Sequence, residues 1–299
     1  MTNTRIKLPR LLVHLHLYYH EQMPYFLKKL GNLVDCQWDL VVTLTQPSAS
    51  VEAELKRFKP NVRILRIENQ GYDVWPFLCA LEKTDILSYD YIIKLHSKNT
   101  KTKPTVSLFE IKCSGPFWRD LLINPLLGSK RIFRRNLKIL RENPRIGMLA
   151  SRPCLMERGN TLAEDTYLFD QLCNRLKLQN PSKTFCAGTM FLIRPEILLP
   201  LLRAQFTVQD FYSKIVRTGS CSTLAHAIER IFVPLAMDHQ FKVQGLAYFP
   251  HTLKVFKRSF LNWFFCITNE HEVKIIRICG ITIPLKRKTH NPQQSAKNG

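Results

Sequence analysis

Several short stretches of this chain carry side chains able to do chemistry at a crevice. In "YDYIIKLHSKN", Tyr89 to Asn99, an apolar run passes Lys94 and Leu95 into His96, Ser97 and Lys98. An imidazole, a hydroxyl and an ammonium can serve an anionic group, or simply finish a strand. Alternation along an extended chain sets His96 and Lys98 on one side. Upstream, Asn69-Gln70-Gly71 reads as a turn able to hold positive φ. Asp73 follows at the start of a helix, where its carboxylate either caps the helix or faces the crevice and bonds a sugar or ribose hydroxyl. Downstream, in "FCAGTMFLIRPEIL", Gly188 makes a bulge or lets a ligand approach the backbone, and Thr189 offers a hydroxyl. Arg194 follows, placed to hold a phosphate or to pair with Glu196. In "TLAHAIERIF", His226 and Glu229 are three apart and share a helix face, which suits structure as readily as acid–base work. Asp210, in "VQDFYSK", is a further carboxylate.

The elements around these residues alternate. Strands are expected at Leu11–Leu17, Asp39–Gln46, Val62–Ile67 and Tyr91–Leu95, with amphipathic helices between them. This β-α-β-α-β-α-β order predicts a doubly wound, largely parallel sheet with flanking helices. Ligands in such sheets bind at the carboxyl ends of the strands, where His96-Ser97-Lys98 falls. Further on, "GPFWRDLLINPLLGS" and "KRIFRRNLKILREN" read as helices, "IGMLAS" and "TFCAGTMFLI" as strands, "CSTLAHAIERIFVPLAMDH" as one helix, and "FKVQGLAYF" as a last strand. A boundary is expected near residue 252, between a domain at 1–251 and a basic, aromatic extension at 252–299.

The 299 residues are 45% hydrophobic, enough for a substantial core. No run approaches the about 18 to 20 apolar residues of a spanning helix. The N-terminal apolar run, broken by His14 and His16, reads as a strand rather than a signal peptide. Nine scattered cysteines without a CxxC pair argue against a zinc site or a disulfide framework and suit a reducing cytoplasm. The formal net charge of +21 favours a polyanionic partner: nucleic acid, an anionic membrane surface or a phosphate-bearing substrate. The charge concentrates at Gly128–Arg145 and in the tail from Lys254 to "PLKRK", where Lys257 and Arg258 stand beside Phe260, Trp263, Phe264 and Phe265. That mixture suits an interfacial membrane contact. No nucleic-acid motif is present, so a nucleic-acid partner is not expected.

The layout Asn-x-Gly, helix, then an aromatic-Asp-aromatic strand resembles sugar-nucleotide glycosyltransferases of the GT-A fold. The particular variant is similar to the rhamnan-synthesis F family of bacterial polysaccharide biosynthesis. The resemblance rests on "GYDVWPFL", "YDYIIKLHSKN", "WRDLL...LLGS", "NPRIGML", "AGTMFLIRPEIL" and "TLAHAIERIF", which run in order from Gly71 to Phe232, over half the chain.

The resemblance implies a GT-A-like glycosyltransferase that moves a sugar from a nucleotide-sugar donor to a surface glycan, of the lipopolysaccharide, capsule or rhamnan kind. The acceptor would ride on a lipid diphosphate, and the protein would sit on the inner face of the cytoplasmic membrane. In GT-A enzymes the strand usually ends in Asp-x-Asp, which holds a divalent metal on the nucleotide diphosphate. His96-Ser97-Lys98 stands there instead, so manganese or magnesium lacks its usual oxygen ligands. No cofactor is firmly expected. His96 and Lys98 would meet the diphosphate directly, or an acceptor phosphate. Asn69, Gly71, Asp73 and Ser97 would complete the donor side, and Gly188, Thr189 and Arg194 the acceptor side. Glu229, His226 or Asp210 would be the base, the family's usual Glu-Asp pair being absent. A non-catalytic accessory role in glycan synthesis and a basic nucleic-acid-binding role are the alternatives.

Overall fold

Strand runs such as Leu11–His16 and Tyr91–His96 are buried at every position, as expected where helices cover both faces of a parallel sheet. The computed structural model describes residues 7–100, 106–108, 111–157, 163–179, 181–212, 214–217, 220–270, 273–279 and 281–286. The first elements are β1 (Arg10–His16), α1 (Met23–Leu30), β2 (Gln37–Leu44), α2 (Ala49–Phe58), β3 (Arg63–Arg66), α3 (Val74–Glu82) and β4 (Tyr91–His96). Then come β5 (Val106–Leu108), β6 (Ile111–Cys113), α4 (Gly115–Leu127), α5 (Lys130–Glu142), β7 (Ile146–Ser151), β8 (Leu155–Glu157), α6 (Ala163–Arg175), β9 (Thr184–Cys186) and β10 (Phe191–Ile193). The chain continues through α7 (Leu199–Arg203), β11 (Lys214–Arg217), β12 (Ser220–Thr223), α8 (Leu224–Glu229), α9 (Phe232–Asp238), β13 (Lys242–Leu246), α10 (Phe249–Phe264), β14 (Phe265–Glu270), β15 (Val273–Ile278) and β16 (Ile281–Lys286).

Two compact units result: residues 1–104 with 114–248, and residues 105–113 with 249–299. The larger unit holds a seven-stranded sheet in the order β13-β7-β10-β4-β1-β2-β3. Every neighbouring pair is parallel except those of β10, which runs against both β4 and β7. The core between β10, α3 and α9 is a cluster of Phe77, Phe191 and Phe232, with ring centroids 4.8 to 6.2 Å apart. Burying aromatic side chains of this size dominates the energetics of such a core. The basic run at 130–142 is the outer face of α5: Phe133, Leu137 and Leu140 are buried while Arg131, Arg134, Arg135 and Lys138 are exposed.

Two expected elements divide. The strand read across "TFCAGTMFLI" becomes β9, paired with β8, and β10 in the main sheet. The break falls at Gly188 and Thr189, whose φ of 80° and 47° lie in the left-handed region and cannot continue a strand. The single helix read across "CSTLAHAIERIFVPLAMDH" becomes the end of β12, at Cys221–Thr223, and then α8 and α9. Pro234 has no N–H to give the carbonyl four residues back, at Arg230, so one helix ends there and the next begins with Pro234 in its first turn.

The smaller unit contains the β5–β6 hairpin, α10 and an antiparallel meander of β14, β15 and β16. Register sets Phe265 opposite Ile278 and Ile278 opposite Ile281, and all three are exposed. Phe249, Leu253, Phe260 and Phe264 of α10 are exposed as well, with Lys254 and Lys257 among them. The side chains of Arg258 and Trp263, and residues 287–288, lie outside the described set. Among the described residues no helix is long and apolar enough to cross a membrane.

Candidate functional site

Parallel register sets His14 opposite Lys94, and His16 opposite both Thr43 and His96. Residues so paired share a face of the sheet, and here that face looks toward α3. The His14 ring lies 5.2 Å from that of Phe77, and the Lys94 ammonium 5.4 Å from the same ring. The apolar neighbours of β1 and β4 therefore build a wall, and the even-numbered polar residues His14, His16, Lys94 and His96 line up on one face toward its carboxyl end.

The loop between β3 and α3 closes over this line. Gly71 and Tyr72 are both left-handed, with φ of 61° and 53°. A Cβ on Gly71 would meet Phe211 Cδ1 at 2.6 Å and Trp75 Cβ at 2.7 Å, so only glycine admits this turn. It lowers Asp73 onto the sheet. Asp73 occupies the position before α3 but makes no capping hydrogen bond, which corrects the capping alternative. Its Oδ2 instead accepts from the Lys94 ammonium and from the Thr189 hydroxyl.

Lys94 is fully buried, and its Nζ also donates to Thr189 Oγ1 at 2.9 Å and to the Thr189 carbonyl at 3.1 Å. Three acceptors satisfy three ammonium donors. Burial pulls the Lys94 pKa down, opposed by Asp73. Burial alone would raise the Asp73 carboxyl, but His96, Lys94 and Lys98 outweigh it and hold it well below the usual carboxylate range.

His96 Nε2 lies 2.7 Å from the Gly188 carbonyl and 3.6 Å from Asp73 Oδ2. Both are acceptors, so Nε2 carries the proton. Burial drives this imidazole well below its ordinary pKa. The N–H of Gly188 donates to Glu229 Oε1 at 2.7 Å, so one residue is held through both its carbonyl and its N–H, by β4 and by the end of α8. Ser97 Oγ accepts the backbone N–H groups of Tyr18 and Tyr19 at 2.9 Å each, tying the loop after β1 to the end of β4.

Above these residues is a cleft of about 430 Å³. Asn69, Gly71, Asp73, His96, Ser97 and Lys98, the residues expected on the donor side, all border it. So do His16, Tyr18, Tyr19, Tyr72, Phe211 and Thr223. Among the described residues no group of three or more His, Cys, Asp or Glu is arranged to hold a metal ion. The carboxylate at the strand end, Asp73, is already bonded by Lys94, and a histidine-serine-lysine run does not supply the several oxygens that magnesium or manganese requires.

The sequence profile of the rhamnan synthesis protein F family matches residues 1–241. The chain belongs to that family. An uncharacterized protein of Xanthomonas campestris pv. campestris, WxcX, is 28% identical over 241 residues, which are 79% of this chain and 32% of the relative. The chain thus spans about a third of the length of the curated relatives it matches. Among solved structures, Staphylococcus aureus TarS 1–349 in complex with UDP is similar at a TM-score of 0.42 and 12% identity, over 85% of this chain and 65% of that one. The mannosyltransferase PcManGT from Pyrobaculum calidifontis, in complex with GDP-Man and Mn2+, is similar at a TM-score of 0.35 and 13% identity, over 64% and 46%.

Other expected site residues of this rhamnan synthesis F chain fall elsewhere. Gly188 and Thr189 lie behind the cleft. Thr189 is 1% exposed with its hydroxyl spent on Asp73 and Lys94, and Gly188 packs against Leu122 and Trp118. Arg194 is six residues along an antiparallel strand from Gly188, at the far edge of the sheet. Its guanidinium donates to the carbonyls of Ile146 and Leu140 at 2.9 and 2.8 Å, rather than to a ligand or to Glu196. Asp210 closes a capping box with Thr207 and pairs with Arg175 at 3.3 Å, which holds its carboxyl low against the effect of burial. It does not border the cleft. His226 and Glu229 part company. Glu229 is bonded beneath Gly188, while His226 takes Thr223 Oγ1 at 2.9 Å and packs its ring 5.3 Å from Tyr72 at the rim. Lys94, the hub of the network, was not among the expected residues. Its signal was parity: it shares the face of His96 and Lys98 and is charged in an otherwise apolar strand.

Proposed function

We propose that this chain is a glycosyltransferase domain of polysaccharide synthesis that takes a nucleotide-sugar donor in the cleft at the carboxyl edge of the sheet, on a GT-A-like fold. The observation that carries the reading is the meeting of Asn69, Gly71 and Asp73 with His96, Ser97 and Lys98 around that cleft, in a member of the rhamnan synthesis F family. Lys98 supplies a positive charge to the diphosphate as the glycosidic bond breaks, where GT-A relatives use a metal. The part of Asp73 left open, 15% of its side chain, meets a donor hydroxyl. Of the three candidate bases, His226 is the one that packs against a residue bordering the cleft, and we assign it that role.

The acceptor in this reading is a growing surface glycan on a lipid diphosphate, and the exposed Phe and Lys side chains of α10 rest on an anionic membrane surface at its cytoplasmic face. Sedimentation with anionic against zwitterionic vesicles tests that contact. The donor reading is tested by thermal stabilisation with a panel of UDP-, GDP- and dTDP-sugars, with EDTA and with manganese. The expected result is stabilisation by one sugar nucleotide in EDTA that is lost in Lys98→Ala. Absence of any stabilisation refutes the donor site, and a strict need for manganese refutes the role given to Lys98.

A further inference from the structure

The donor reading leaves unused a second polar chain in the floor of the cleft. His14, Thr43 and His16 lie side by side on β1 and β2, exposed by 0%, 0% and 4%. Thr43 Oγ1 is 3.1 Å from His14 Nε2 and 3.0 Å from His16 Nδ1. His14 Nδ1 is buried without a partner. The His16 ring borders the cleft, and its Nε2 has no hydrogen-bond partner among the described residues.

The protons of this chain follow from counting. Burial keeps both imidazoles neutral, so each carries one N–H, and Thr43 carries one O–H. Suppose His16 held its proton on Nδ1, pointing at Thr43 Oγ1. The hydroxyl would then turn to His14 Nε2 and force an orphaned N–H onto buried His14 Nδ1, or would itself go unpaired. Either outcome strands a buried donor, which native structures rarely tolerate. The reverse arrangement uses every proton. His14 Nε2–H donates to Thr43 Oγ1, and the Thr43 hydroxyl donates to His16 Nδ1. Only a lone pair is left over, on His14. The Thr43 carbonyl accepts from Leu17 N–H at 3.0 Å and keeps a second lone pair, but a His16 Nδ1 proton given to it would still leave the Thr43 hydroxyl or a His14 N–H without an acceptor. His16 is thereby left with its proton on Nε2.

We propose that His16 is a ligand-contacting residue of this site: a neutral hydrogen-bond donor, its tautomer fixed by His14 through Thr43, whose Nε2–H meets an oxygen of the nucleoside diphosphate held at Lys98. The contact rests on the donor reading above. The relay that sets the tautomer does not. A neutral donor adds direction to the anion contact without adding a cation beside Lys94 and Lys98, and fixed donors of this kind discriminate by geometry.

Long-range 1H–15N spectra of histidine-labelled protein test it. In the free protein the His16 proton is expected on Nε2, and Thr43→Val is expected to populate the Nδ1 form. Adding UDP or GDP should shift the Nε2–H signal. His16→Met should weaken that nucleotide about tenfold, the size of one hydrogen bond to a charged group. His16→Gln, whose amide can still donate, should stay within about threefold. A proton on Nδ1 in the free wild-type protein overturns the relay. Equal nucleotide affinity of wild type and His16→Met overturns the contact. If neither UDP nor GDP binds the wild-type protein, the contact falls together with the donor reading, while the tautomer in the free protein still judges the relay by itself.

Discussion

Replacing Lys94 by Met removes a charge on which two neighbours depend. Lys94 is fully buried, and its Nζ is bonded to Asp73 Oδ2 and to both oxygens of Thr189. Methionine keeps an unbranched apolar stem against Phe77, so packing changes little. What is lost is the counter-ion of Asp73 and the donor to the Thr189 carbonyl. Removing one member of a buried ion pair costs about 3–5 kcal/mol. Asp73 keeps its bond from the Thr189 hydroxyl and is 15% exposed, which sets the expectation at the lower end, about 3 kcal/mol. Against a typical total of about 5–15 kcal/mol, urea unfolding at pH 7 followed by circular dichroism will resolve it. Adding Asp73→Asn removes the stranded charge, so the double variant should be less destabilised than the sum of the single ones by about 1–2 kcal/mol. The acid limb moves too. In the wild type Asp73 contributes stability above its unfolded pKa that is lost as pH falls through its depressed folded pKa. Without Lys94 the folded pKa moves back toward the unfolded one, so this contribution shrinks and its loss is complete at a higher pH. A cost for Lys94→Met below about 1 kcal/mol, or strict additivity with Asp73→Asn, would refute the buried ion pair.

Gly188→Ala should destabilise by about 1–3 kcal/mol, because φ is +80° and the new Cβ would stand 2.9 to 3.0 Å from Leu122 and Trp118; an unchanged urea midpoint counts against the clamped residue. The histidine floor should make the protein acid-sensitive. His16 is depressed from 6.5 to about 4 by burial, so the unfolded chain binds its proton first, and the stability is complete above pH 6.5 and lost as pH falls toward 4. His16 alone accounts for about 3 kcal/mol of that loss, and melting temperatures that do not fall between pH 7 and 5 would contradict it. Arg194→Ala and Asp210→Ala should each lower stability by about 1–2 kcal/mol while nucleotide affinity, measured by titration calorimetry, stays that of the wild type.

The first hundred residues were readable because period-two runs, amphipathic helices and turn residues agree with one another, and the parallel pairing of β1 to β4 follows from that order. The cationic end of β4 was readable for the same reason. Lys94 was not, since a lone lysine in an apolar strand has no local explanation. Its partners are 21 and 95 residues away, and no spacing announces them. Sequence reading put His226 and Glu229 on one helix face, and both lie in α8, but helix spacing does not announce their partners: Gly188 for Glu229, and Thr223 and Tyr72 for His226. The acceptor assignment failed at Arg194 because the strand direction of β10 was not legible: antiparallel entry carries Gly188 to the ligand edge and Arg194 to the other.

That reversed strand also shapes how the chain comes off the ribosome. The block β4-β1-β2-β3 is complete once residue 96 has emerged, but β4 waits for its other neighbour until Phe191 arrives to pair with Lys94. At ordinary elongation rates of about 5–20 residues per second, those 95 residues take about 5–20 seconds. Throughout that interval β4 is a bare, leucine- and isoleucine-rich border, the kind of edge that recruits strands from other chains. Lys94, later the hub of the site, then serves as a charged guard in the middle of that border. Nascent chains arrested before residue 191 should therefore aggregate more when Lys94 is replaced by Met, an effect separate from anything it does in the finished fold.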